Sequence, residues 1–410
     1  MVAISNLLKA VAVILQVEHA VAQSAPTGRT LNGTYSGLNL PSLAQDIFLG
    51  IPFAQQRRFE QATPFNETWN GTRDATEPGL TCAGFGTNPR EGWPIGEGCL
   101  NLNVVRPEGA FDGLDLPVLV WMYGGGYRQG SNRDPEFNTS FLVQTSVETG
   151  HPIIAVSINY RLSAYGFIAS QEAAGNGALN IGLQDQRQAL RWIKEIIRGF
   201  GGVPNRVTIW GESAGASSTA LQLMAYGGDT QDLFRGAIMA SGSFFGFGQR
   251  SLAQAQNVYD NITDHTGCAS AVDTLQCLKD LPLSTINQTI YEQNEGENFG
   301  PVIDGDFFRS YPFVAFRNGR LPSVNIIVGC NSDEGMSLGG QTNANTSDEL
   351  SQYLQRGLGI NETLAADLLD LYPIEAPSPP YSLAQDYPWQ AATAEVGLFS
   401  GNQTRRSYGI

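Results

Sequence analysis

Short apolar runs recur along the chain with long mixed segments between them: LPVLVWMY at 116–123, PIIAVSINY at 152–160, RVTIW at 206–210, GAIMAS at 236–241 and NIIVG at 325–329. Each run is near-continuous rather than alternating, as strands of a parallel sheet covered on both faces require. Between the second and third, LQDQRQALRWIKEIIRGF at 183–200 sets Leu183, Leu190, Ile193, Ile197 and Phe200 at helical spacing, with Arg, Lys and Glu interleaved. Such a stripe is the crossover helix of a βαβ unit. The pattern therefore predicts an α/β architecture, a largely parallel central sheet with helices on both faces. No repeat or low-complexity tract interrupts it. APSPP at 376–380 is a stiff break before the tail, and one domain is expected.

Composition narrows the function classes. The 410 residues are 42% hydrophobic and 15% charged, ample for a large core. A net charge of −15 without any Lys/Arg cluster argues against nucleic acid or an anionic membrane surface as partner. The opening stretch MVAISNLLKAVAVILQVEHAVAQSAPT has one Lys, a short apolar segment and the small-x-small triplet Ala20-Val21-Ala22. It reads as a secretory signal peptide, residues 1–22, cleaved after Ala22; a frayed amphipathic helix is the alternative. Nine Asn-x-Ser/Thr sequons follow, at Asn32, Asn66, Asn70, Asn138, Asn261, Asn287, Asn345, Asn361 and Asn402. Chance would supply roughly three, so the excess supports a glycosylating, extracellular route. No other apolar run approaches a membrane-spanning length. Five cysteines suggest two disulfides and one left over. Cys82 and Cys99 flank a Gly/Pro-rich loop and Cys268 and Cys277 close a short one, although spacing leaves the connectivity open; Cys330 reads as a small buried residue at a strand end.

Two stretches satisfy Gly-x-Ser-x-Gly, and their contexts differ. In IWGESAGASS, Ser213 directly follows the strand RVTIW and precedes small, helix-forming residues. The chain must reverse there within about two residues, which lifts the Ser213 hydroxyl above the sheet on a strained turn and demands glycine at 211 and 215. The N–H of Ala214, at the new helix's N-terminus, faces any developing negative charge. Ser337, in GMSLG, has no helix to open and reads as an ordinary loop serine. A strand ending in three glycines, WMYGGGYRQGS at 121–131, can point backbone N–H groups into a cavity, which makes Gly125 and Gly126 oxyanion-hole donors alongside Ala214. Asp333 and Glu334 sit just past NIIVG, where either could orient a general base or both could be loop caps.

The chain resembles the type-B carboxylesterase/lipase family of α/β-hydrolases. The matching stretches are FLGIPFA (48–54) with Arg58-Phe59, EGCLNLNV (97–104), WMYGGGY (121–127), SINYRLSAYGF (157–167), NIGLQDQRQALRW (180–192), FGG (200–202) with VTIWGESAGASS, and VGCNSDEG, in family order over residues 46–336. The resemblance implies an α/β-hydrolase domain over 23–410 and a secreted serine esterase acting on a small-molecule ester, with no cofactor and no metal. It puts the nucleophile at Ser213, the acid at Glu334 rather than Asp333, and the oxyanion hole at Gly125, Gly126 and Ala214. Disulfides Cys82–Cys99 and Cys268–Cys277 follow from it too, and Glu212 resembles the residue that helps hold the site's polar network. Only 16 residues separate Cys82 from Cys99. Lipases resembling the family carry a longer flap there, which tilts the reading toward an esterase, with Phe85, Trp93 and Tyr127 as lining of a gorge mouth.

The family's triad also needs a histidine after the acid. The three histidines are His19, His151 and His265, and none follows Glu334. The expectation is accordingly a C-terminally incomplete family domain, with the last strand and helix missing and the strand at 325–329 left as an apolar edge. The alternative is a catalytically inactive homologue acting as a binding protein.

Overall fold

In the computed structural model, residues 25–85, 92–244, 251–331, 334 and 346–371 are described. The proposed leader, Asp333, Ser337 and the 376–380 break lie outside them. The chain separates into two compact units, one through Val328 and one from Gly329 onward.

An eight-stranded sheet organises the first unit. Its strands are β1 (Leu38–Leu40), β2 (Gln45–Pro52), β3 (Asn101–Pro107), β4 (Leu116–Met122), β5 (Ile154–Ile158), β6 (Gly202–Glu212), β7 (Gly236–Ala240) and β8 (Asn325–Gly329). The spatial order is β8-β7-β6-β4-β5-β3-β2-β1, so β4 and β5 are exchanged relative to chain order and the β3–β4 and β5–β6 connections each skip one strand. Parallel pairing runs from β5 through β4 and β6 to β7. The β1–β2, β2–β3 and β3–β5 pairs are antiparallel. The five runs read as strands are all strands, and β1 to β3 add an antiparallel flank that the parallel reading did not specify. Every residue of β5 is buried and β3 is buried to its penultimate residue; no alternation survives where both faces are covered.

Helix α1 (Ser140–Glu148) covers β3 and β5. The expected crossover is α2 (Ile181–Ile196), which turns its Leu183, Leu190 and Ile193 into the core and continues as a 3-10 turn to Phe200. Helix α3 (Ala214–Met224) is buried at every position, packed on β4, β6 and β7. Helices α4 (Leu252–Thr266), α5 (Thr274–Asp280) and α6 (Leu283–Glu292) follow. At the β8 edge Ile326, Ile327 and Val328 are exposed, the apolar edge expected from the sequence.

In the second unit, α7 (Ser347–Leu358) begins at a Thr346/Glu349 capping box and packs with α8 (Glu362–Leu371) through Leu350, Leu354 and Ala365. Both disulfides form, Cys82–Cys99 and Cys268–Cys277. Cys330 departs from its reading: it is exposed rather than buried, because the strand end it follows has no cover among the described residues. No helix among the described residues is long and apolar enough to cross a membrane.

Candidate functional site

Ser213 stands between β6 and α3 with φ 55° and ψ −122°, a strained conformation for a residue with a Cβ. Its own N–H donates to the Ala240 carbonyl at 3.0 Å, which ties the turn to the end of β7, and the Ser217 N–H donates to the Ser213 carbonyl to start α3. Two glycines permit the tightness. A Cβ at Gly211 would lie 2.3 Å from the Gly215 carbonyl, and one at Gly215 would lie 2.1 Å from the Met122 carbonyl at the end of β4. Ser213 is half-exposed while Ala214 behind it is buried.

The triple glycine meets this turn directly. A Cβ on Gly124 would lie 2.7 Å from the Glu212 carbonyl oxygen and 3.1 Å from Ser213 Cβ, so only glycine lets the loop approach the serine this closely. Gly125, Gly126 and Tyr127 all have positive φ, at 90°, 66° and 62°, which winds the loop back over itself; the Arg128 and Gln129 N–H groups close it on the Gly125 carbonyl. A Cβ on Gly126 would meet nothing closer than 3.7 Å, so that face stays open.

Buried aromatic hydroxyls hold the loop from beneath. Tyr123 and Tyr160 stack at 4.4 Å and exchange backbone bonds: Tyr123 OH donates to the Tyr160 carbonyl at 2.8 Å, and Tyr160 OH donates to the Tyr123 carbonyl at 2.8 Å. The Tyr127 carbonyl accepts the Ser163 N–H at 2.7 Å. Tyr127 itself is a correction. It does not line a gorge mouth; its ring is buried against Phe167 with the Ser218 hydroxyl as polar neighbour, because packing the ring there removes its apolar surface from water.

Burial pushes the pKa of Tyr123, Tyr127 and Tyr160 well above the ordinary value near 10. A raised folded-state value leaves stability intact below the unfolded pKa and removes it as pH rises toward the folded one. Unfolding midpoints are therefore expected to hold to about pH 10 and fall above it, with the phenolate absorbance of these tyrosines emerging only on unfolding. Ionisation of all fourteen tyrosines at the ordinary pH in a folded protein would contradict the network.

On the outer side, the Phe85 N–H donates to the Arg128 carbonyl and Arg128 pairs with Glu297. Beside them lies an open cavity of about 780 Å³ lined by Phe85, Arg128, Asn287, Ile290, Tyr291 and Glu297 among others. Phe85 lines it as expected, whereas Trp93 is not part of its wall.

The remaining candidates resolve differently. In the second unit the Glu334 carboxylate accepts both the backbone N–H and the side-chain amide of Asn331 at 3.0 Å. His151 is exposed and precedes β5. Since β4, β5 and β6 are parallel and Ser213 lies past the C-terminal end of β6, His151, before the first residue of β5, stands at the opposite end of the strands, separated from it by more than the length of β5, which is about 16 Å at ~3.3 Å per strand residue. His265 is exposed in the last turn of α4, its Nδ1 against the Asn261 carbonyl of the same helix at 2.8 Å. Among the described residues no cluster of His, Cys, Asp or Glu could hold a metal.

Reading residues alone missed the buried clamp behind this loop. Arg161 donates Nε and Nη2 to Asp185 on α2 at 2.7 and 2.6 Å, and Nη1 to the Arg57 and Glu60 carbonyls, while its own N–H also reaches Asp185.

The chain matches the profile of the carboxylesterase family over residues 23–366. It is 35% identical over 383 residues to lipase 4 of Diutina rugosa, covering 84% of this chain and 68% of that protein. It is 38% identical over 271 residues to the secreted triacylglycerol lipase LIP1 of Gibberella zeae, covering 63% of this chain and 46% of that one. Among solved structures, Aspergillus niger EstA superposes with a TM-score of 0.75 at 30% identity, covering 93% of this chain and 72% of that chain.

Proposed function

The chain belongs to the carboxylesterase family, a family of carboxylic ester hydrolases, and we propose that it acts through an acyl-enzyme formed on Ser213. The Ser213 Oγ attacks the ester carbonyl carbon and passes its proton to an imidazole oriented by Glu334. The carbonyl oxygen becomes an oxyanion that accepts from the N–H groups of Gly125, Gly126 and Ala214, each worth on the order of 100-fold in turnover. The alcohol leaves with the proton, and water repeats the sequence to release the acid. The imidazole belongs after the acid in the family's order; this sequence has His19, His151 and His265, and none after Glu334.

The observation that carries the proposal is the close approach of Gly124 to the strained strand-to-helix turn, where a Cβ would lie 2.7 Å from the Glu212 carbonyl oxygen and 3.1 Å from Ser213 Cβ. It sets a partly exposed serine beside a loop whose next two residues, Gly125 and Gly126, have positive φ, with the Gly126 face open. The cavity beside Arg128 takes the part of the substrate that does not react. Its polar rim of Arg128, Glu297 and Asn287, together with the short Cys82–Cys99 loop, favours short-chain esters over long-chain lipids. An extracellular location follows from the leader reading and the sequons, and relatives named as secreted lipases support it.

The test is active-site labelling of the natural secreted product. A fluorophosphonate probe is expected to modify Ser213, and p-nitrophenyl butyrate is expected to be cleaved faster than the palmitate ester. Label on Ser337 instead would move the nucleophile. Absence of both label and turnover would favour a silent binding homologue, the reading that the surface positions of His151 and His265 also permit.

A further inference from the structure

Seven of the nine sequons fall on described residues, and their surroundings divide them into two groups. Resting on the secretory reading above, we propose that Asn66, Asn70, Asn138 and Asn361 carry N-linked oligosaccharide, and that Asn32, Asn261 and Asn287 stay bare in the folded, secreted protein. In the transfer, Asn Nδ2 forms a bond to C1 of the terminal sugar of a lipid-pyrophosphate-linked oligosaccharide. The C1–phosphate oxygen bond breaks, the lipid pyrophosphate leaves, and Nδ2 gives up one proton. The nitrogen must therefore have a hydrogen to lose and room for a sugar.

The bare group lacks one or both. Asn32 spends both amide hydrogens, on the Phe65 carbonyl at 3.1 Å and the Glu67 carbonyl at 3.0 Å, while its own carbonyl accepts the Trp69 N–H. A sugar there would wedge open the seam between residues 32 and 69, with Gly33 already against the Trp69 indole. Asn261 donates Nδ2 to the buried carboxylate of Glu295 at 2.7 Å. Removing that donor weakens the support of a desolvated charge, which is costly. Asn287 keeps its amide hydrogens but lacks the room: it is half-buried on α6, its Oδ1 accepts the Tyr165 hydroxyl at 2.6 Å, and it forms part of the wall of the cavity beside Arg128, which a sugar would have to fill. A chain given sugar at these positions before folding could not close these contacts, so the folded population lacks it.

The modified group is exposed at every member. Asn66 and Asn70 share the loop between Thr63–Pro64 and Thr72–Asp74. Asn138 and Asn361 use only Oδ1, accepting the Ser140 and Leu364 N–H groups near helix starts, which leaves Nδ2 outward. None of Asn66, Asn70 and Asn138 lines the cavity beside Arg128.

The experiment secretes the 410-residue chain from a glycosylating eukaryotic host, alongside a version in which a heterologous leader replaces residues 1–22. Peptide N-glycosidase digestion in ¹⁸O water then marks each formerly glycosylated asparagine as labelled aspartate, read by peptide mapping. Label is expected at Asn66, Asn70, Asn138 and Asn361 and at none of Asn32, Asn261 and Asn287. Label at any of those three, or none at the exposed four in the leader-replaced protein, overturns the assignment. Retention of the native-leader protein inside the cell while the replaced version is secreted and labelled as expected would overturn the secretory reading alone. Substituting Gln at the four exposed positions should abolish the enzyme-dependent gel shift without lowering the melting temperature. Asn32→Gln should leave the shift unchanged and lower the melting temperature; the converse pattern would also overturn the assignment.

Discussion

Ser213→Ala is expected to slow ester turnover on the order of a million-fold where an imidazole serves the serine, and to change turnover little in residues 1–410 assayed by themselves. The contrast follows from how triad members act as one unit. A serine hydroxyl without a base stays protonated, so deleting it removes almost nothing further; what remains is the contribution of oxyanion donors and binding, about 10³–10⁴-fold over water. The ratio of wild-type to variant kcat on p-nitrophenyl butyrate thus reports whether the base is present. In residues 1–410 the histidines outside the proposed leader are His151, at the opposite end of the strands from Ser213, and His265, held against its own helix. A ratio of a thousand or more in that polypeptide would mean that one of them reaches Ser213, and His151→Ala and His265→Ala would tell which.

Asp185→Ala is expected to cost about 3–5 kcal/mol, the usual penalty for stranding one member of a buried ion pair. The Arg161 and Asp185 side chains are 2% and 0% exposed, and the guanidinium has no water to turn to. Replacement of a buried pair by apolar residues is often neutral, but here Arg161 also satisfies the Arg57 and Glu60 carbonyls, which would be orphaned as well. Arg161 lies between Tyr160 and Ser163, the two residues bonded to the backbone of the glycine loop. Loss of the pair is therefore expected to loosen that loop and lower kcat before the protein melts. Urea unfolding measures the stability term. A loss below about 1 kcal/mol would place the pair among solvent-screened ones and remove it from the account of the loop.

Much of the fold was readable from residue order. The runs at 116–123, 152–160, 206–210, 236–241 and 325–329 became β4 to β8, since continuous apolar stretches of that length have few other stable homes. The elbow at Ser213 and the triple glycine were readable for a related reason: both are local backbone problems, solvable only by small residues at fixed offsets. The antiparallel flank was less visible. QDIFLGIP and NLNVVRP carry polar residues, Gln45, Asp46, Asn101, Asn103 and Arg106, that are buried only because distant segments supply their partners.

By itself the sequence determined the α/β class, the family, the candidate nucleophile and donors, and the spacing of two local disulfides. It could do so because each depends on residues near one another in the chain or on a pattern repeated along it. Tertiary structure alone decided that Gly124 closely approaches the Ser213 turn, that Tyr127 faces the core, that Arg161 is clamped by Asp185, and that three sequon asparagines are already engaged with other partners. Those outcomes depend on which distant segment arrives beside each residue. Hydrophobic periodicity encodes which positions are buried, but a buried polar group is stabilised by a particular partner, and that partner is fixed only when the sheet and helices have closed around it.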